Sequence, residues 1–195
     1  RQVLKGYIIY VKLFIICYFL LGEIFMFKKE FSVKSHGKTP TYINITDMVN
    51  EAIKESQINA GLVIVLTKHT TCSVFYEEFT HDFDERGNEF LQNDLDTVLE
   101  KIIPNHNSAT TYSYPGPEHY KDVESWPNAE EYLPNGDRSA LWNGDAHLKA
   151  TILGNSVTLD VENNKLAVGK TGYVYFVDFD RTRERTRKFS VIVIK

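Results

Sequence analysis

The stretch Leu141-Trp142-Asn143-Gly144-Asp145-Ala146-His147-Leu148-Lys149 carries residues whose types and spacing could do chemistry. Asn143-Gly144 is a turn signal, and Asp145 after it suits a helix N-cap, its carboxylate accepting from free backbone N–H groups. Leu148, Ile152 and Leu153 supply an apolar stripe, and Gly154 closes the segment as a C′ glycine would. His147 then falls in the first helical turn. A helix N-terminus carries roughly half a positive charge and attracts anions, and an imidazole held there tends to stay neutral. A neutral imidazole suits a metal ligand or a base. The plainer alternative is that Asp145 only caps and His147 only packs.

The six histidines are His36, His69, His81, His106, His119 and His147. None pair at HxxxH or HxxH spacing, so there is no local metal motif. His69 ends an apolar run and stands beside Thr70 and Thr71. His81 lies among Glu77, Glu78 and Asp82, and carboxylates near imidazoles orient metal ligands. His119 sits in a long proline-marked connection. Taken singly, each is more often structural than functional. Convergence of His69, His81, His119 and His147, with Glu78, would make a zinc-type site.

A second constellation is Asp180-Arg181-Thr182-Arg183-Glu184-Arg185-Thr186-Arg187-Lys188. Alternate residues of an extended backbone point one way, so the four arginines would share a face. Guanidinium groups bind phosphate bidentately. The competing reading is a solvated hairpin end, or an edge strand protected by its charge. No aromatic platform or recognition helix interleaves these charges, which argues against nucleic-acid binding.

These residues need elements to position them. Phe31 and Val33 alternate in a strand over Glu30–Ser35, and Tyr42–Ile45 reads as a second. Thr46 or Asp47 would cap a helix presenting Met48, Val49, Ala52 and Ile53. Leu62–Leu66 is an unbroken apolar run, read as a central strand covered on both faces. Thr70–Tyr76 is a further strand. Phe90, Leu91, Leu95, Val98, Leu99 and Ile102 fall at helical spacing before Pro104. Asn105–Ala140 is a long connection with Tyr120, Trp126 and Tyr132, too long to be idle in a compact domain. The rest is β: Val157–Val161, a hairpin turn at Asn163-Asn164, Leu166–Val168, then Tyr173–Phe179 with Phe189–Ile194 as its antiparallel partner. The order ββαββα, loop, αββββ indicates an α+β fold rather than a doubly wound sheet.

A chain of 195 residues with 43% hydrophobic residues fits one domain with a substantial core. A formal charge of −4 is wrong for a general nucleic-acid binder. With only Cys17 and Cys72 there is no disulfide framework. Residues 1–27 form an apolar N-terminal extension outside the domain, which spans 28–195. The continuous run Leu13–Leu21 is shorter than the ~20 residues of a membrane span, and Lys12 and Glu23 flank it. Met26-Phe27-Lys28-Lys29 looks like an ordinary start, so the extension reads as translated upstream sequence. The rival is a membrane-associating helix.

The motifs Lys68-His69-Thr70-Thr71, Glu78, Asn143 through His147, Leu153-Gly154-Asn155-Ser156 and Phe179-Asp180 with Arg183 resemble the YjbQ family in this order. The resemblance covers Phe27 to Lys195. It implies a mixed or antiparallel β-sandwich with flanking helices, usually a homotrimer. It also implies a cytoplasmic secondary thiamine-phosphate synthase, joining a pyrimidine diphosphate to a thiazole phosphate. Family positions carry over onto His69, Glu78, His147 and Arg183, and onto His119 in the loop. The chain departs from the family's common form at Gly169-Lys170-Thr171-Gly172, at Asp180-Arg181-Thr182-Arg183, and at His81, where an Asp is common. The expected site is therefore His69, Glu78 and Arg183 as catalytic groups. Thr70, Thr71, Asn143, Lys170, Arg181 and Arg183 would hold a small phosphorylated metabolite. His81, His119 and His147 would hold a divalent ion, zinc or magnesium. The alternative is a trimeric module that binds a metal or phosphometabolite without turnover.

Overall fold

The structure, a computed structural model, describes residues 25–195. It opens with strand β1 (Met26–Ser35), whose register pairs Met26 with Ile194 and Phe27 with Val193. Met26 and Phe27 thus belong to the domain and not to the extension, because Phe27 packs on the core. Residues 1–24 of the expected extension lie outside the described residues. After β2 (Thr41–Asn44) comes helix α1 (Thr46–Ser56), which buries Val49, Ala52 and Ile53 at helical spacing. Its first free N–H, on Thr46, goes to the Asn44 side chain at 3.1 Å, so neither Thr46 nor Asp47 caps it.

Strand β3 (Ala60–Thr67) contains the apolar run. Val63 and Val65 are fully buried, yet Leu62 is 49% exposed. The expectation of cover on both faces is therefore corrected: this is an antiparallel strand with one packed face, and the second face is apolar but partly open. Strand β4 (Cys72–Glu78) follows, then helix α2 (Phe90–Ile102), started by a capping box in which Glu89 and Gln92 satisfy each other's backbone N–H. The long connection is ordered. It holds helix α3 (Pro117–Glu124) and three 3-10 turns at Ala129–Glu131, Pro134–Gly136 and Arg138–Leu141. Helix α4 (Gly144–Leu153) leads into β5 (Ser156–Glu162) and β6 (Lys165–Ala167), joined through Asn163 and Asn164 at positive φ. Strands β7 (Gly172–Asp178) and β8 (Arg185–Ile194) complete the chain.

Two antiparallel sheets result, one of five strands in the order β1-β8-β3-β5-β6 and one of three in the order β2-β7-β4. The expected β7–β8 pairing is not formed. Strand β8 lies between β1 and β3, while β7 lies between β2 and β4. Apolar alternation specifies that a strand is buried, not which neighbour it takes, and here residues 179–184 carry the chain from one sheet to the other. Val63, Val65, Val74, Val174, Phe176, Val191 and Val193 form the main core with Val49 and Ile53 of α1. Leu99 of α2 and Ala146 and Ala150 of α4 pack on Val177 and Phe179, covering the other face of the three-stranded sheet. The architecture is an α+β sandwich with flanking helices. Among the described residues, no helix is long and apolar enough to cross a membrane.

Gly37 secures the crossing between sheets. It has φ +67°, and a Cβ built there would lie 1.9 Å from the carbonyl carbon of Arg183. The β1–β2 turn can therefore rest directly on the backbone that presents Arg183. Gly37→Ala combines left-handed strain, about 1–2 kcal/mol, with forced displacement of that backbone. Urea unfolding should show a loss of about 2 kcal/mol or more. A loss below about 0.5 kcal/mol, the range of an ordinary surface substitution, would contradict the close approach.

Candidate functional site

A cavity of about 300 Å³ opens where the β3–β4 loop, the β7–β8 crossing, the start of α4 and the long connection meet. The β3–β4 loop contributes Lys68, His69, Thr70 and Thr71. The crossing and the first turns of β8 contribute Asp180, Arg183, Arg185 and Arg187. Asn143 and His147 come from the start of α4. Tyr114, His119, Trp126 and Tyr132 come from the connection, which forms an aromatic wall opposite the cations.

The cationic side is built on two carboxylates. Arg187 reaches Asp178 twice, Nε to Oδ2 at 2.7 Å and Nη2 to Oδ1 at 3.1 Å, and also donates to the Thr71 hydroxyl at 3.0 Å. Asp178 is fully buried. Arg185 donates to Asp180 at 2.9 Å. Asp180 also accepts from the Thr182 N–H at 3.0 Å, the Thr182 hydroxyl at 2.6 Å and the Asn143 amide at 3.2 Å. Burial pushes the Asp180 carboxyl upward, but Arg185 and these hydrogen bonds outweigh it and hold its pKa below the usual carboxylate value. Arg183 has no carboxylate partner. Its guanidinium carbon lies 4.8 Å from the centre of the Tyr132 ring, a cation–π contact. Arg183 Nη1 and Arg185 Nε are buried without hydrogen-bond partners. Two carboxylates face four cationic side chains, so an excess of positive charge borders the cavity.

Two of the imidazoles, His69 and His147, lean neutral. His69 Nε2 accepts the Lys188 backbone N–H at 2.9 Å. His119 Nε2 lies 3.2 Å from the Tyr114 hydroxyl, and the His147 ring stands edge-on to Tyr114 with centroids 5.4 Å apart. Burial lowers the pKa of both His69 and His147, reinforced by Arg187. His147 is also held down by its proximity to His119 and pulled up by Asp180. The expected N-cap of α4 is corrected. Asp145 lies inside the helix, paired with Arg181 at 2.9 Å and the buried Lys149 at 3.8 Å. The first N–H, on Gly144, instead goes to His106 Nδ1 at 3.2 Å, and His106 is stacked on Trp142.

The structure thus gathers His69, Thr70, Thr71, His119, Asn143, His147 and Arg183 around one cavity. It does not bring Glu78, His81, Lys170 or Arg181 there. Asp178 lies at the cavity end of β7 opposite Cys72, whereas Glu78 is six residues further along β4, opposite Gly172. At the rise of a strand that is roughly 20 Å. His81 packs on Phe79 at this far end, and Lys170 precedes Gly172 there. Arg181 borders a separate groove with Lys38 and Glu100. The edge-strand reading of the arginines also fails, because Arg185 and Arg187 turn to Asp180 and Asp178 instead of guarding a solvent edge, and Arg187 is buried.

The metal expectation meets an unfavourable donor set. Among the described residues no three His, Cys, Asp or Glu side chains lie together in a way that could hold a metal ion. His69 has one ring nitrogen committed to Lys188, and Asp180 is saturated by its donors. Of the other lining residues, Tyr114 is not named from sequence, while Lys68, Tyr132, Asp180, Arg185 and Arg187 stand in the quoted motifs or in the connection without a part in the expected site. The alternating arginines signalled two of them, and the aromatic content of the connection signalled Tyr132.

Two outcomes follow from these contacts. Arg187→Met leaves Asp178 buried without its partner and should cost about 3–5 kcal/mol in denaturant unfolding. A loss under about 1 kcal/mol would refute the pair's structural role. The second concerns pH. The folded-state pKa values of His69, His106 and His147 lie below the ordinary imidazole value, so the unfolded chain binds more protons below about pH 6.5. Stability should fall as pH drops from 7 to 6, read as a lower melting temperature. A melting temperature that rises over that interval would contradict the buried, neutral imidazoles.

Residues 29–195 match the family described as UPF0047 protein YjbQ-like. A UPF0047 protein of Archaeoglobus fulgidus is 33% identical over 156 residues, covering 80% of this chain and 94% of that protein. The UPF0047 protein YugU of Bacillus subtilis is 25% identical, covering 76% of this chain and 87% of its own length. Among solved structures, a YbjQ-like protein of unknown function from Sulfolobus solfataricus superposes with a TM-score of 0.61 at 22% identity, covering 88% of this chain and 99% of the other. An uncharacterized yjbq/upf0047 protein of Clostridium acetobutylicum gives 0.60 at 27% identity, covering 85% and 98%. The match along the sequence and the shared sandwich place this chain in the UPF0047, YjbQ-like family.

Proposed function

We propose that the cavity binds a small phosphorylated metabolite and that the protein is a transferase of the thiamine-phosphate synthase type. The observation that carries this reading is the pair of buried guanidinium donors without partners, Arg183 Nη1 and Arg185 Nε, in a cavity with surplus positive charge. Buried donors of this kind lose hydrogen bonds to water on folding and regain them from an anion. The aromatic wall suits the flat ring of a substrate whose phosphate lies on the cationic side.

In the reaction, the bond between the pyrimidine's methylene carbon and the diphosphate oxygen breaks, and its electron pair leaves with pyrophosphate. The thiazole nitrogen lone pair forms the new carbon–nitrogen bond. Charge builds on the departing oxygen, so fixed cations aimed at it lower the barrier. Arg183, Arg185 and Lys68 supply those cations, and the neutral His147 adds a hydrogen-bonding group to the cavity without adding charge. Val98, Ile102, Leu148 and Ile152 are exposed apolar residues on α2 and α4, and they support the homotrimer expected of the family.

Calorimetry with inorganic pyrophosphate tests the binding, and turnover with both substrates tests the transfer. Wild-type protein should bind pyrophosphate. Arg183→Met should bind it about 10- to 100-fold more weakly at an unchanged melting temperature, the worth of one charge-assisted bond. Equal affinity in the two proteins would remove the reading. Tight binding with no product from either substrate would leave a phosphometabolite-binding module.

A further inference from the structure

We propose that His69 is a hydrogen-bond donor of fixed tautomer, offering its Nδ1–H to a phosphoryl oxygen, and that it neither takes up nor gives away a proton during the reaction. The role rests on the phosphate reading above and assigns His69 a specific part in it.

The argument begins in the sheet. Strand β3 pairs with β8 as far as Thr67 opposite Phe189 and then stops. Lys188, one residue beyond that last pair, has no β3 residue to pair with. Its carbonyl is met by the Thr67 hydroxyl at 3.0 Å, and its N–H by His69 Nε2 at 2.9 Å. The imidazole thus continues the ladder after the strand has ended. A nitrogen that accepts a hydrogen bond must keep its lone pair, so the neutral ring carries its proton on Nδ1. The backbone around the ring is also pinned. The His69 N–H donates to the Thr67 hydroxyl at 3.3 Å, and its carbonyl accepts from the Cys72 N–H at 3.1 Å.

Both proton-transfer routes are therefore obstructed. Accepting a proton would require Nε2 to give up the Lys188 N–H, leaving a backbone donor at a strand end without its partner. The ring also faces Arg185, Arg187 and Lys188, with Asp178 as the opposing charge and Lys68 and Glu30 in the adjoining recess. Releasing the Nδ1 proton would leave an imidazolate, a far stronger base than the groups around it. Donation of a hydrogen bond is the chemistry that remains. His69 borders the same cavity as the unpartnered Arg183 Nη1 and Arg185 Nε, so three N–H donors are available to the oxygens of one phosphoryl group. Ligands presenting an amine or a methyl group in place of those oxygens would leave the donors unpaired and be rejected.

The test uses the full-length protein with side-chain ¹⁵N-labelled histidine and inorganic pyrophosphate as the probe. At pH 7 the His69 spectrum should show a directly bonded proton on Nδ1 and none on Nε2, and the Nδ1–H signal should move when pyrophosphate is added. Three variants separate the roles, each checked for an unchanged melting temperature. An asparagine amide can occupy the Nδ1 position and a glutamine amide the Nε2 position. His69→Asn should therefore keep pyrophosphate affinity within about threefold, while His69→Gln and His69→Ala should lose about tenfold or more. A proton on Nε2, or an imidazolium at pH 7, would overturn the proposal. So would wild-type affinity in His69→Ala while wild-type protein binds the probe, an outcome that leaves the phosphate reading intact. Failure of wild-type protein to bind pyrophosphate would instead overturn the phosphate reading together with this role.

Discussion

The ion pair between Asp178 and Arg187 is the constraint from which the rest of the site follows. Asp178 ends the central strand of one sheet, and Arg187 lies near the start of β8, the second strand of the other. Their bidentate contact, shared with Thr71, stitches the sheets together at the edge where the core ends. A buried ion pair seldom adds much net stability, because desolvation offsets most of the attraction. Its value here is positional. With both ends of residues 179–184 held, Asp180 can reach Arg185, Thr182 and Asn143, and Arg183 is left to stack on Tyr132.

That anchoring explains the electrostatic character of the cavity. Cations that are neutralised underneath, Arg187 and Arg185, hold the frame. Cations not neutralised, Arg183 and Lys68, give the cavity its field. Burial, reinforced by Arg187, makes His69 and His147 resist protonation, so these two add hydrogen-bonding capacity without adding charge. The long connection closes the other side with aromatic rings. A cationic floor and an aromatic wall thus face each other across the cavity.

Much of this was legible in the sequence where periodicity carried it. Helix α2 lies where the spacing of Leu91, Leu95, Leu99 and Ile102 places it, and the positive φ of Asn163 and Asn164 matches the hairpin their chemistry implied. Meeting partners were less legible. Glu78 is only nine residues from His69, and the family resemblance put both in one site. A strand that rises about 3.3 Å per residue instead carries Glu78 away from it, and His81 with it. The alternating arginines were readable as one face only where the backbone is extended. Arg185 and Arg187 lie in β8 and comply, whereas Arg181 lies in the crossing and turns to Asp145. His106, the residue that meets the first N–H of α4, is 38 positions from its partner, a distance no local pattern spans.

The pairing of β1 with β8 has a practical corollary for handling the protein. Phe25 and Lys195 are joined by a backbone hydrogen bond, and both lie at the end of the five-stranded sheet away from Arg185. Nine residues of extended chain, roughly 30 Å, separate Ile194 from the mouth of the cavity. Fusion partners, affinity handles or surface attachments joined at Phe25 or Lys195 would project from the remote pole. The cavity would then face away from the support on an immobilised sample.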